Sequence, residues 1–259
     1  DLPKEPAPLP PLERHSGREW SVEILIEENT LDQDPHNDRS YIQSFGGLVY
    51  SISLDETAAS IISWPETWEE RFTKYLQPSR FIESNNSIFK DAVADNGDPS
   101  SVPIHIAAKV LIRYCLNNIE SNGKFTTIER CYNRYGDTQH QMNPPHSITT
   151  EFSAQGARAT VKEGKGSATD LICVCVAILR AAGIPARPVI GFTNANAAGN
   201  SQVEPYCMIW GEYALPGAGW VPFVPERMRG TVKGLPISAP WQGLGTLPFL
   251  NRRVPVAVE

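Results

Sequence analysis

Long apolar runs and an excess of basic residues are both missing from this sequence of 259 residues. A membrane-spanning helix needs about 20 consecutive apolar residues. Since no run reaches that length, the sequence predicts no transmembrane segment. Lys and Arg number 23 against 29 Asp and Glu, which gives a net charge of −6. Nucleic-acid binding needs a basic face, so this balance argues against a nucleic-acid partner, although an uneven charge distribution leaves room for a local basic patch.

Cysteine is also scarce, with five in the chain. That number indicates neither a disulfide scaffold nor a metal cluster, and because it is odd at least one thiol stays unpaired. Five side chains could in principle meet around a metal, namely His105, His140, His146, Cys115 and Cys131. Their spacings match no zinc pattern. We therefore predict no metal site and no cofactor.

Proline is concentrated in the first eleven residues, Asp1–Pro11, which predicts an extended, stiff run. We take residues 1–15 as a Pro-rich linker. Such a run is typical of the spacer that remains after a signal peptide or anchor is removed, or of the edge of a chosen fragment. It favours an exported protein, and no targeting segment is present to decide the compartment.

The best-marked element is a helix over residues 168–182. Ser167 and Asp170 have the spacing of a capping box at its start. Gly183 suits the left-handed position just past a helix end, and Pro185 cannot continue a helix. The residues between these caps are apolar on every face, a pattern typical of a helix buried on all sides. We expect it to be the central core helix of a globular domain.

Three ordered motifs share the spacing of a known family. The first runs from Gly164-Lys-Gly-Ser-Ala-Thr-Asp170 through the apolar helix to Leu179-Arg-Ala-Ala-Gly-Ile-Pro-Ala-Arg187. The second is Met208-Ile-Trp-Gly-Glu212, and the third is Gly219-Trp-Val-Pro-Phe-Val-Pro225. The sequence resembles the transglutaminase-like superfamily of cysteine enzymes. This resemblance implies an α+β fold with a papain-like transglutaminase core, in which a central buried helix packs against an antiparallel sheet.

The catalytic positions of that family hold other residues here. The resemblance places the nucleophilic Cys at Ala168, the general base His at Met208 and the orienting Asp at Val224. A thiol nucleophile needs a base within hydrogen-bond reach and a third group that orients the base. None of the three residues has this chemistry, and no His follows His146 in the sequence. We therefore predict no catalytic residue.

Side chains near the substituted triad are candidates for lining a binding cleft. They are Ser167, Asp170, Cys207, Trp210 and Glu212. Each also has a structural explanation. Ser167 and Asp170 suffice as a helix cap, and strand alternation points the Cys207 thiol away from the side on which Met208 lies. Trp210 and Glu212 are scaffold residues of the family, for which packing or ion pairing inside the core is sufficient.

The remaining chain predicts an accessory lobe, the core and a tail. Strands are expected at 19–28 and 48–54, a strand or short helix at 57–63, and a helix opening at Pro65. Bacterial transglutaminase-like proteins often enter their core through a phrase similar to Tyr75-Leu-Gln-Pro-Ser79. The segments are the linker 1–15, a small N-terminal β-rich lobe 16–74, the transglutaminase-like core 75–229 and a wrapping C-terminal tail 230–259.

Within the core, helical spacing predicts helices over residues 86–94 and 103–118, whereas the polar stretch 126–163 predicts a long loop with short strands or turns. Strands are expected at 187–192, 206–214 and 220–223. The tail is too apolar to be solvated, so we expect it to wrap over the core and to end in a strand at 253–258.

Together these features predict a pseudoenzyme, a catalytically inactive transglutaminase-like protein that keeps its cleft for a peptide or protein partner. Two alternatives stay open. The chain could be an active transglutaminase or cysteine-peptidase-type enzyme acting on amide bonds through residues that the comparison of motifs misplaces. Ala168 could instead replace a working nucleophile, but that substitution would leave Met208 and Val224 unexplained.

Overall fold

The computed structural model describes residues 12–28, 39–122, 154–193, 206–247, 250 and 253–259. Side chains are described within these ranges from residue 53 onwards, except at 192–193, 206–207, 254 and 256. The helices are α1 (Glu56–Ala59), α2 (Glu70–Thr73), α3 (Ser87–Asp95), α4 (Ile104–Asn118), α5 (Ala157–Glu163), α6 (Ala168–Ala181) and α7 (Pro225–Met228), with 3-10 turns at Lys74–Leu76 and Pro99–Ser101. The strands are β1 (Leu12–Glu28), β2 (Arg39–Leu54), β3 (Glu120–Ser121), β4 (Lys165–Gly166), β5 (Ala186–Thr193), β6 (Tyr206–Leu215), β7 (Gly219–Phe223) and β8 (Val254–Val258).

The predicted N-terminal β-rich part is a long antiparallel hairpin of β1 and β2, paired from Leu12 opposite Leu54 to Glu28 opposite Arg39. β1 begins at Leu12, so the prediction that the linker extends to residue 15 is wrong. The physical reason is that no proline interrupts the chain between Pro11 and Pro35, and every residue of β1 therefore has an N–H for the ladder. Residues 1–11 lie outside the described part.

Helix α6 confirms the prediction for the central element. The Ser167 hydroxyl accepts a hydrogen bond from Asp170 N (3.1 Å), and the Asp170 carboxylate accepts one from Ser167 N (3.0 Å). Gly183 adopts a φ of +83°, and Ile184 N returns to Leu179 O at 2.9 Å, which closes the helix end. Every residue from 168 to 180 is buried. The helix is thus surrounded by protein on all sides.

The last turn of α6 is tied to three distant segments by one side chain. Arg180 is buried and donates to the carbonyl oxygens of Ala186 (2.8 Å), Gln77 (2.6 Å) and Glu259 (2.8 Å). Burial lowers the pKa of Arg180 to about 10, partly opposed by the negative charge of Glu259. The guanidinium therefore stays charged at neutral pH, with three oriented carbonyl dipoles as its acceptors.

Three elements differ from the sequence predictions. The helix expected to open at Pro65 begins at Glu70, because Trp68 before it is held by a hydrogen bond from its Nε1 to Gly183 O (3.0 Å). The stretch 57–63, left open between strand and helix, begins within the single helical turn α1. The predicted loop 126–163 contains α5, since good helix formers there end at Gly164 with a φ of +66°; residues 123–153 lie outside the described part.

The main sheet has four antiparallel strands in the order β7-β6-β5-β8. Its outer strand β8 confirms the strand predicted at 253–258. Ahead of β8, the tail contributes Trp241, Leu244, Leu247 and Leu250, all buried. The mixture of helices with an antiparallel sheet around one buried helix confirms the predicted α+β class.

Side chains of β6 alternate between two apolar clusters on opposite faces of the sheet. Ile209, Tyr213 and Leu215 belong to the large core that contains α4 and α6. Met208 and Trp210 belong to a second, smaller cluster. This alternation, with a period of two along the strand, decides which residues surround the triad positions.

Among the helices of the described residues, none combines the length and the hydropathy that a membrane-spanning segment requires.

Candidate functional site

The position of the family nucleophile is the first residue of α6. Ala168 is 3% exposed and follows the cap residue Ser167 directly. The cap positions this residue at the N-terminus of a helix, where free N–H groups and the helix dipole would favour a thiolate. Ala168 has a methyl group in place of a thiol. Because a methyl group does not ionise, the helix N-terminus activates no nucleophile at this position.

The base and carboxylate positions come together in an apolar environment. Met208 lies in β6 and is fully buried, and Val224 directly follows β7 and is 5% exposed. Both belong to the small cluster of six residues Val189, Met208, Trp210, Val224, Leu247 and Leu250, which we call the tail-covered cluster because its last two members come from the C-terminal tail. Ala168 belongs to neither hydrophobic cluster. The structure therefore joins Met208 with Val224 in one apolar cluster.

Two of the predicted cleft residues are fully engaged in capping α6. The Asp170 carboxylate accepts from Ser167 N, from the Ser167 hydroxyl (2.8 Å) and from Gln155 N (2.8 Å). Both residues are buried. Asp170 thus fixes the chain that enters the helix and also the segment just before α5, and its oxygens are not presented to a ligand.

Glu212 is the centre of a buried ion network. Its side chain is 2% exposed and accepts from Arg187 on one oxygen (2.8 Å) and from Arg253 on the other (3.2 Å). Trp210 Nε1 donates to the same carboxylate at 3.0 Å. Two guanidinium groups face one carboxylate, so the network is locally positive. Ion pairing of Glu212 with Arg187 is within what the sequence predicts, whereas Arg253 was missed.

Arg253 was missed because it is 41 residues from Glu212 and lies in a tail with no motif. The only signal in the sequence is an arginine at the start of the predicted strand 253–258. Arg187 has further partners, since its guanidinium carbon lies 3.9 Å from the ring centroid of Trp220 and 5.2 Å from that of Tyr75. Stacking of this kind holds the guanidinium plane in place.

The thiols that the structure describes lie in the large apolar core. Cys115, Cys173 and Cys175 are buried and unpaired. Burial raises the pKa of Cys173 well above its ordinary value, and the charge of Asp170 adds to this effect. Burial and a hydrogen bond with Cys115 raise the pKa of Cys175 strongly. Cys173 and Cys175 are therefore neutral thiols at physiological pH. The side chain of Cys207 lies outside the described part, as do those of Cys131, His140 and His146.

His105, considered above as a possible metal ligand, is held in a buried polar network. Its Nδ1 lies 2.6 Å from the Tyr213 hydroxyl and its Nε2 lies 3.4 Å from the Glu56 carboxylate. Because a carboxylate only accepts, the fitting tautomer carries its proton on Nε2, and Nδ1 accepts from Tyr213. Lys109 Nζ donates to Glu56 (2.7 Å) and to Ala239 O (2.7 Å). His105 therefore has two fixed partners and is fully buried.

Sequence inspection missed this network. His105 and Lys109 are four residues apart on the predicted helix α4, next to its apolar stripe, and that i,i+4 spacing was the available signal. The partners Tyr213 and Glu56 come from a strand and from a helical turn that only the tertiary fold brings near. Of the His, Cys, Asp and Glu side chains in the described ranges, no three are placed to hold a metal ion.

The network predicts a specific dependence of stability on acid. Burial raises the pKa of Glu56, but hydrogen bonds from His105, Lys109 and Trp241 N outweigh it and leave the pKa below its ordinary value. A carboxyl with a lowered pKa stabilises the fold when ionised, so its contribution is present above its unfolded pKa and is lost as pH falls through the folded pKa.

We expect the free energy of unfolding to decline below about pH 4.5 and Glu56→Gln to weaken that decline. Denaturant titrations across this pH range measure it, with the exposed Glu66→Gln as control. An unchanged slope in Glu56→Gln would contradict the assignment.

Solved structures of low sequence identity resemble the chain. One is a candidate cysteine protease from Cytophaga hutchinsonii, 14% identical with a TM-score of 0.48, covering 96% of this chain and 78% of that chain. A TGase is 12% identical with a TM-score of 0.34, covering 87% and 47%. A candidate protease from Parabacteroides distasonis is 11% identical with a TM-score of 0.34, covering 90% and 43%. This chain thus matches less than half the length of the latter two. No curated protein matches it.

The family comparison agrees with the motifs. Residues 135–225 match the family model of the transglutaminase-like superfamily, and this range includes Ala168, Met208 and Val224. It covers the C-terminal part of the predicted core 75–229, whose start at residue 75 stays a prediction. Over these residues the chain is therefore similar to the transglutaminase-like superfamily.

Proposed function

We propose that this protein is a non-catalytic member of the transglutaminase-like superfamily that binds a peptide or protein partner. The observation that carries the proposal is the chemistry of the triad positions. Ala168 has no functional group, and Met208 and Val224 lie in the tail-covered cluster, whose six members are all apolar. Acyl transfer through a thioester needs a nucleophile, a proton acceptor and later a proton donor, and these positions supply none of them.

The environment of the positions supports the same proposal. Apolar residues that replaced polar catalytic groups would leave cavities or unpaired partners unless their surroundings changed with them. Here Met208 packs against Trp210, Val224, Leu247 and Leu250 in one buried cluster. The surroundings are thus adapted to apolar side chains, which favours a long-standing non-catalytic state over a single recent substitution of Ala168.

A binding role is supported by the packing of the C-terminal tail against the main sheet. The face of β6 that carries Met208, Trp210 and Glu212 packs against a segment of polypeptide, the chain's own C-terminal tail. A face that takes apolar side chains together with an arginine has the general chemistry of a peptide-binding surface. The partner would be a protein or peptide. The acidic overall charge argues against a nucleic-acid partner.

The first test is the absence of thiol-dependent turnover. The native protein is expected to show no hydrolysis of peptide amides and no transfer of a glutamine acyl group to an amine, because no described thiol is activated. Each assay is run before and after alkylation with iodoacetamide. Turnover that alkylation abolishes would contradict the proposal and favour an active enzyme with other catalytic residues.

Ala168→Cys is the matched control for this assay. It restores a thiol at the helix N-terminus, but acyl transfer also needs a proton delivered to the leaving amine, which Met208 cannot provide. We expect the single variant to stay inactive. Activity in Ala168→Cys alone would show that a base is present near this position and that the triad assignment is wrong.

A further inference from the structure

The C-terminal tail contacts the triad face through side chains at regular intervals. Leu247 and Leu250, three residues apart, pack in the tail-covered cluster and are 3% and 1% exposed. Arg253, three residues later, pairs with Glu212 and lies 6.0 Å from the ring of Trp210, measured from its guanidinium carbon. One short segment therefore supplies two aliphatic groups and one cation to a face that offers apolar surface and a carboxylate.

The same segment then continues as an edge strand. Among the described strands, β8 pairs with β5 alone, and its ladder is interrupted between Ile190 and Gly191. Pro255 in β8 has no N–H to donate, and Pro255, Ala257 and Val258 are exposed. Pairing at a sheet edge uses backbone groups that any extended peptide carries. This attachment is therefore of a kind that a separate chain can also make.

The tail is fixed to the core up to a definite point. Val224 N donates to Gly243 O, and Gly245 N donates to Pro222 O, both at 2.8 Å. Thr246 is exposed and accepts from Leu54 N at 2.8 Å. After Thr246, the contacts with the core that the structure describes are those of Leu247, Leu250, Arg253, β8 and Glu259. The segment 247–259 thus attaches to the core as one unit.

We propose that the face made by Met208, Trp210, Glu212 and Val224, together with the edge of β5, is a peptide-binding site whose occupant here is the chain's own tail. In trans the site takes a peptide with two aliphatic side chains three residues apart, followed after three more by an arginine. Like the tail, in which Leu250 N donates to Leu247 O (2.8 Å) and Arg253 N to Leu250 O (3.2 Å), this peptide turns at these residues and then continues as a strand. Glu212 selects the arginine, the apolar cluster selects the aliphatic groups, and β5 binds the backbone. This inference rests on the proposed function and names the class of its partner.

The test uses the full-length chain with a protease recognition sequence inserted after the exposed Thr246. Cleavage of the folded protein converts residues 247–259 into a separate peptide that only non-covalent contacts hold. A fluorescein-labelled peptide of the same sequence should then exchange into the site, measured by fluorescence anisotropy. The uncut protein is the control, and it should take up little label because its own tail competes at a high effective concentration.

Peptide variants test the recognition chemistry. Leu250→Asp and Arg253→Glu in the labelled peptide should each weaken binding by about tenfold or more, since both place a wrong group against a buried partner. Ala257→Ser, at an exposed position, should bind within about twofold. Equal binding of all four peptides would overturn the proposal. So would a cleaved protein that keeps its circular dichroism but takes up no label, or one that unfolds when the segment leaves.

Failure of this inference and failure of the proposed function give different results. Loss of exchange with no amide turnover would reject the tail site and leave the non-catalytic assignment in place. Thiol-dependent turnover by the cleaved protein would reject the non-catalytic assignment, whatever the peptide binding.

Discussion

Replacing Glu212 with alanine should destabilise the protein by about 3–5 kcal/mol, the cost of removing one partner of a buried ion pair. Among the described residues, Glu212 is the carboxylate that pairs with Arg187 and Arg253, whose side chains are 15% and 9% exposed. Without it, two partly buried guanidinium groups would lose their shared carboxylate and repel each other. Trp210 Nε1 would lose its acceptor as well. The measurement is the free energy of unfolding from denaturant titration.

The matched control is a carboxylate in an exposed ion pair. Glu69 lies 2.8 Å from Arg71, with side chains 59% and 66% exposed, respectively. Solvent screens such a pair, so Glu69→Ala should cost no more than about 1 kcal/mol. A triple variant in which Glu212→Leu, Arg187→Met and Arg253→Met remove all three charges should be less destabilised than Glu212→Ala alone. A Glu212→Ala variant no weaker than Glu69→Ala would show that the network contributes little.

Leu179→Ala should reduce the free energy of unfolding by about 2–5 kcal/mol, the range for truncation of a large core side chain. Leu179 is fully buried in the cluster that surrounds α6. Since protein lies on all sides of this helix, the neighbours cannot all move to fill the space, and a cavity term adds to the lost burial.

The control for this cavity is Ile61→Ala, because Ile61 is 74% exposed. A surface truncation of this kind should change stability by less than about 0.5 kcal/mol. A denaturation midpoint that is the same for Leu179→Ala and for the wild type would mean that the centre of α6 is not packed as described.

The central helix could be predicted from the sequence because its determinants are local. The capping box needs only Ser167 and Asp170, and the end signal needs only Gly183 and the proline after it. The α+β class could be predicted from this helix together with the strands expected at 187–192, 206–214 and 220–223. The helix α5 was missed because a seven-residue helix within a long polar stretch leaves too little periodicity to detect.

The surroundings of the triad positions could not be predicted in the same way. The motifs located Met208 and Val224, but the residues that bury them, Leu247 and Leu250, come from a tail with no motif. The partner of Glu212 in that tail and the partners of His105 are likewise distant in sequence. Side-chain pairing across a fold depends on strand order and register, which local patterns do not specify.

The strand order of the main sheet also has a consequence for the order of folding. β5, β6 and β7 follow one another along the chain and pair with their neighbours, so each addition closes a short loop. β8 returns to β5 from more than 60 residues away, and closing that larger loop loses more chain entropy. The three-stranded meander should therefore form first and β8 should join it last. Native-state hydrogen exchange would then find the amides of β8 opening at a lower free energy than those of β6, so the sheet behaves as two cooperative units of unequal stability.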